Sequence, residues 1–81
     1  MQAPTPRQKQ VLVLVRDYIL AHGYPPTKRE LADALGVSSA TGVSDILDAA
    51  EKKGLVKLVP FISRGIRLTD EGLSAISGGA E

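Results

Sequence analysis

Thr41, Ser44 and Asp45 place two hydroxyls and a carboxylate within little more than one helical turn. A hydroxyl both donates and accepts, whereas an ionised carboxylate only accepts. On the edge of a nucleobase, hydroxyls pair with several bases and a carboxylate accepts from cytosine N4. With about 100° of rotation per residue, Thr41, Ser44, Asp45, Asp48 and Lys52 gather on one side of a helix, and Val43, Ile46, Leu47 and Ala50 gather on the other. The inner side packs and the outer side is left to read bases. The alternative is an ordinary solvated face, and Asp48, which repels phosphate, fits that reading better.

A second set of residues suits phosphate. Arg7, Lys28, Lys52, Lys53, Lys57, Arg64 and Arg67 include candidate backbone contacts, each adding counterion release and so salt dependence. Taken singly, Lys57 and Arg67 read as solvated cations. Arg7 at a helix start and Arg64 on a hairpin loop carry the functional reading as a group. Helix starts at Thr5 and Thr27 add backbone N–H donors. Net charge is only +1, but cations dominate residues 1–29 and 54–69, flanking an acidic stretch that holds Glu30, Asp33, Asp45, Asp48 and Glu51. Phosphate anchoring is therefore expected from the flanks.

Other chemistries find little support. There is no Cys and only one His, His22, which reads as a C-terminal helix cap beside the Gly23 stop rather than a metal ligand. The carboxylates are scattered, so no general acid/base pair is formed. Ser38-Ser39 reads as a helix cap, since the one His is remote and no oxyanion motif accompanies it. Eighty-one residues make one small domain without room for a sizeable catalytic cleft. Neither a membrane-length apolar run nor a signal-peptide core is present, and no cofactor is implied. The chain is expected to be a cytoplasmic non-enzyme, nucleoid-associated when bound.

These side chains need a scaffold, and the spacing supplies one. Thr5-Pro6-Arg7-Gln8 is a capping box that opens a helix from Pro6 to about His22, with Gly23 as its stop. Thr27-Lys28-Arg29-Glu30 repeats the pattern and opens a short helix to Leu35, ended by Gly36. Ser38 or Ser39 caps a third helix that runs to Lys53. Leu55–Val59 and Gly65–Thr69 alternate as strands, with Leu55, Lys57 and Val59 facing one way and Val56 and Leu58 the other. Residues 60–64 between them make a hairpin loop. The expected fold is mostly α with a small β-hairpin, a winged helix-turn-helix: three helices, then a two-stranded antiparallel wing. Residues 1–70 form that domain, and 71–81, ending in SGGAE, read as a flexible tail or the start of a linker.

The segments TPRQKQVLVLVRDYI, HGYPPTKRELADALG, EKKGLVKLV and above all SRGIRL resemble the N-terminal DNA-binding domain of the LexA repressor family over roughly residues 3–69. The family's members repress DNA-damage-response (SOS) operons by binding palindromic operators in double-stranded DNA as dimers. The resemblance implies that Ser39, Thr41, Gly42, Ser44 and Asp45 approach bases, and that Thr5, Arg7, Lys28, Lys53 and Arg64 hold phosphates. This sequence departs from the family at Thr41-Gly42, where an asparagine and a small residue are typical, and at Ser44-Asp45, where two acidic residues are usual. The self-cleaving peptidase domain of full-length members is not within these 81 residues.

Four apolar residues fall outside this scheme. Phe61 and Ile62 sit at the wing tip, and folding back onto the sheet is the commoner outcome for the only Phe of a small domain. Failing that, the tip is apolar and suits a minor-groove wedge, a homodimer contact or another protein. Val13 and Leu20 lie on the otherwise polar back of the first helix, where Leu73, Ala75 and Ile76 can cover them. Left uncovered, Val13, Leu20, Phe61 and Ile62 together with the acidic third helix describe a protein-interaction module, the second reading of this sequence.

Overall fold

The computed structural model describes residues 3–77. Its elements run α1 (Pro6–His22), α2 (Lys28–Leu35), α3 (Ala40–Lys52), β1 (Val56–Leu58), β2 (Ile66–Leu68) and α4 (Asp70–Ser77). Helices dominate and the strands form one antiparallel pair, so the architecture is a winged helix-turn-helix.

Both capping boxes are formed. Thr5 Oγ1 accepts from the Gln8 N–H at 3.1 Å while Gln8 Oε1 accepts from the Thr5 N–H at 3.0 Å. In α2 the same exchange joins Thr27 and Glu30 at 3.0 and 2.8 Å. Each box satisfies backbone donors that a helix start leaves without partners. Gly23 and Gly36 end α1 and α2 in the left-handed region. Ser39 rather than Ser38 caps α3, its Oγ accepting from the Thr41 N–H at 3.1 Å, and the helix stops at Lys52 with Lys53 as its C-cap.

The core draws on every helix and both strands: Val11, Leu12 and Val15 from α1, Leu31 and Ala32 from α2, Val43, Leu47 and Ala50 from α3, Val56, Ile66 and Ile76 beyond them. In the wing, Val56 pairs with Leu68, Lys57 with Arg67 and Leu58 with Ile66. Lys57 and Arg67 are both exposed, so two cations stand directly opposite each other, an arrangement that opposes pairing. Leu55 does not share the exposed face of Lys57 as expected. Its N–H donates to the Ala50 carbonyl at 3.0 Å, which makes it part of the turn closing α3 and buries it.

The expected flexible tail from residue 71 is corrected by α4. Thr69 Oγ1 accepts from the Gly72 N–H at 3.0 Å and donates to the Gly54 carbonyl at 2.6 Å, fixing where the helix starts. Asp70 and Glu71 then fill the first turn, where the helix dipole favours negative charge. Gly72 and Ile76 are buried as α4 packs on α1 and β2. Residues 78–81 of the expected tail lie outside the described residues.

Candidate nucleic-acid interface

The outer face of α3 stands clear of the core. Ser39, Thr41, Gly42, Asp45 and Asp48 are exposed and Ser44 is half-buried, whereas Val43 and Leu47 on the inner face have no exposure. The helix thus presents its N-terminal half to solvent from a fixed base. Ser39 uses its oxygen as the cap, which leaves its O–H free to donate. A Cβ built on Gly42 meets nothing within 4 Å. Nothing inside the domain therefore requires a glycine there, although a helical glycine is less favourable than alanine by about 1 kcal/mol.

The expected phosphate contacts separate into free and engaged side chains. Lys28 at the start of α2 and Lys52 at the end of α3 are exposed. Arg7 is exposed too, with only a local hydrogen bond from Nη1 to Gln10 Oε1 at 3.0 Å. Thr5 is occupied as a cap. Lys53 Nζ donates to Gln8 Oε1 at 2.8 Å and to the Ala3 carbonyl at 3.0 Å, tying the end of α3 to the start of α1. Asp70 and Glu71 line the same shallow depression as Lys53. These neighbours make Lys53 an internal tie rather than a free cation.

Arg64 departs furthest from expectation. Instead of reaching from the wing toward phosphate, its guanidinium makes a two-pronged ion pair with Glu30, at 2.8 Å to Oε1 and 3.1 Å to Oε2. Nη1 also donates to the Pro25 carbonyl at 2.9 Å and, more weakly, to the Tyr18 hydroxyl at 3.4 Å. The guanidinium carbon lies 4.6 Å from the Tyr24 ring centre, within cation–π range. A planar fork facing a carboxylate is the geometry in which arginine binds best. The hydrogen bond from Arg64, followed by the one from the Thr27 N–H, holds the Glu30 carboxyl down at about 2. The same carboxylate raises the Arg64 pKa above its ordinary value. The pair therefore clamps the base of the wing to the start of the helix-turn-helix. Thirty-four residues separate its partners, so no local pattern announces it. The one available signal is Glu30, whose second oxygen is left over by the capping box.

The wing tip is also unlike the expectation. Phe61 does not fold back: its relative exposure is 105%, and its φ of 66° is left-handed. Ile62 is exposed as well. The loop forms one wall of a groove whose other wall carries Lys28, Asp48 and Glu51. Val13 is half-buried against the core, while Leu20, at 77% exposure, lines a different groove with Leu73 and Arg16. Cover from α4 is thus only partial, and the four apolar residues do not form one surface.

Among the described residues, no group of His, Asp or Glu side chains is placed to hold a metal ion, and no helix is long and apolar enough to cross a membrane.

A helix-turn-helix with a polar, solvent-facing third helix and an adjoining wing defines the class: a winged-helix protein whose third helix is free to enter a nucleic-acid groove. Residues 1–65 match the LexA DNA binding domain family, and the chain belongs to it. Among its relatives, the LexA repressor of Hahella chejuensis is 50% identical over 64 residues, covering 79% of this chain and 32% of that protein. The LexA repressor of Idiomarina loihiensis is 40% identical over 78 residues, covering 96% and 38%. That of Geobacter metallireducens is 43% identical over 77 residues, covering 95% and 38%. The chain spans about a third of the length of the curated relatives it matches.

Proposed function

We propose that this chain is the operator-reading part of a LexA-type transcriptional repressor, acting inside the cell on genes of the DNA-damage response. The α3 helix enters the major groove of duplex DNA, with Ser39, Thr41, Gly42, Ser44 and Asp45 toward the base edges. Arg7, Lys28 and Lys52, together with the backbone N–H groups at the start of α2, hold flanking phosphates. Two copies on a palindrome supply the discrimination that a single small interface rarely reaches. The observation that carries this reading is the exposed N-terminal half of α3 over an inner face whose Val43, Leu47 and Ala50 are buried. The family match and the repressor relatives support it.

Selection of bound sequences from a random duplex pool should return a palindromic consensus. On that site, Lys28→Ala and Lys52→Ala should each lower the salt slope of log affinity by about 1 without changing the preferred sequence. Asp45→Ala should relax preference at one position, where a lost base contact is worth about 1–3 kcal/mol. An unenriched pool, or slopes equal to that of the parent chain, would count against the assignment.

A further inference from the structure

Phe61 is the structure's least explained residue. It is the only Phe in the chain, it is fully exposed, and it adopts a backbone conformation that favours glycine or asparagine. A large aromatic held in water on a strained backbone weakens the isolated domain twice over.

Its position is nevertheless fixed. The loop is closed by the Val59 N–H donating to the Gly65 carbonyl at 2.8 Å. Gly65 lies so tightly against the Val59 carbonyl that a Cβ there would collide with it. The next residue back, Arg64, is locked to Glu30 of α2. The tip is therefore carried at a set offset from the helix-turn-helix, across a groove from Lys28 and the outer edge of α3.

We propose that Phe61 is a wedge that enters the minor groove beside the α3 site and opens a stacked base step, with Ile62 covering the exposed base edges. This rests on the DNA-binding reading given above. The surroundings favour DNA over a protein partner. The apolar patch is confined to the short run of residues 59–62 at the end of a hairpin, far short of the roughly 800 Å² per partner of a stable protein interface. The other exposed large hydrophobic residues, Leu20, Tyr24 and Leu73, line a separate groove. One inserted side chain is enough to unstack a base step and kink a duplex. Lys28 faces the tip across the groove, beside Asp48 and Glu51, and is the cation there placed to hold the phosphate of the same strand.

The test uses the 81-residue chain and its selected site, with 2-aminopurine substituted in turn at each position flanking the α3 contact. The parent chain should raise fluorescence at one or two adjacent positions, which reports local unstacking. Phe61→Ala should abolish the rise and weaken binding about tenfold, the order expected for one lost stacking contact, while the salt slope stays the same. Phe61→Trp should keep the rise. Phe61→Asn, which suits the left-handed backbone, should melt at or above the parent temperature and still lose the signal, which separates the wedge from a folding effect. No fluorescence rise with the parent chain, or the same rise with Phe61→Ala, overturns the wedge while leaving DNA binding intact. If Phe61→Ala instead dissolves a dimer seen by sedimentation without DNA and leaves the fluorescence unchanged, the tip belongs to a protein contact and the wedge is wrong. Failure of the parent chain to select any duplex sequence at low salt refutes the underlying DNA reading, and the wedge falls with it.

Discussion

Arg64 is the residue whose role could not be anticipated from its neighbours. On a hairpin loop it reads as a phosphate hand, but both of its terminal nitrogens donate inside the molecule, Nη1 to Glu30, Pro25 and Tyr18 and Nη2 to Glu30. The Glu30 carboxyl, held down at about 2 against an ordinary value of about 4.3, gives the pair a defined pH window. A depressed carboxylate stabilises the folded state fully above the unfolded-state value, and that contribution disappears as the pH falls through the folded-state value. Thermal melts should therefore show the parent chain losing stability between about pH 4.3 and 2 more steeply than Glu30→Gln, which keeps the capping oxygen but not the charge. Parallel curves would mean the clamp contributes no proton-linked stability. Gly42 makes the opposite point: its space is open, so Gly42→Ala should stabilise the fold by about 1 kcal/mol in denaturant titration. The exposed face of α3 was legible from spacing alone, because a 3.6-residue period leaves few choices once Val43, Ile46, Leu47 and Ala50 must turn inward.

At the level of elements, what could be read was whatever is written locally. Both threonine capping boxes, the stops at Gly23 and Gly36 and the order of helices and strands follow from patterns a few residues long, and the structure has them. The α4 helix is the exception. Its start carries a capping threonine and two acidic residues, but Gly72 at the third position breaks the capping box and weakens the helical signal. Packing explains that glycine, because a Cβ on Gly72 would run into the Leu55 carbonyl and push α4 off the turn that follows α3. Gly72→Ala should accordingly destabilise by about 1–3 kcal/mol, as overpacking does, although intrinsic helix preference alone favours alanine. A melting temperature above the parent's would show that α4 docks elsewhere. The Leu55 misreading has the same root: two or three residues of strand give too short an alternation to say where a preceding helix turn ends.

Across the whole molecule, charge is segregated rather than balanced. Cations sit at the start of α1, at Lys28 and on the wing, while Asp45, Asp48 and Glu51 lie along α3. An acidic strip along the helix proposed to read DNA would weaken indiscriminate binding to it, and Asp48 shares its groove with Lys28. Asp48→Asn should tighten binding to unselected duplex several-fold at low salt, a gain that fades as the Debye length shrinks below about 10 Å near 0.1 M. Equal affinities at every ionic strength would place Asp48 away from the phosphates. This strip was visible in the sequence. The distance from it to each basic flank was not, because it depends on tertiary joins such as Lys53 to Gln8 and Arg64 to Glu30.

The facing Lys57 and Arg67 in the wing act like a spring loaded by mutual repulsion. Small anions that gather around the two side chains relax it, and so would a phosphate strand lying along that face. Raising the salt should therefore firm the hairpin itself while weakening any attraction of this cationic face for phosphate, so the two effects pull in opposite directions.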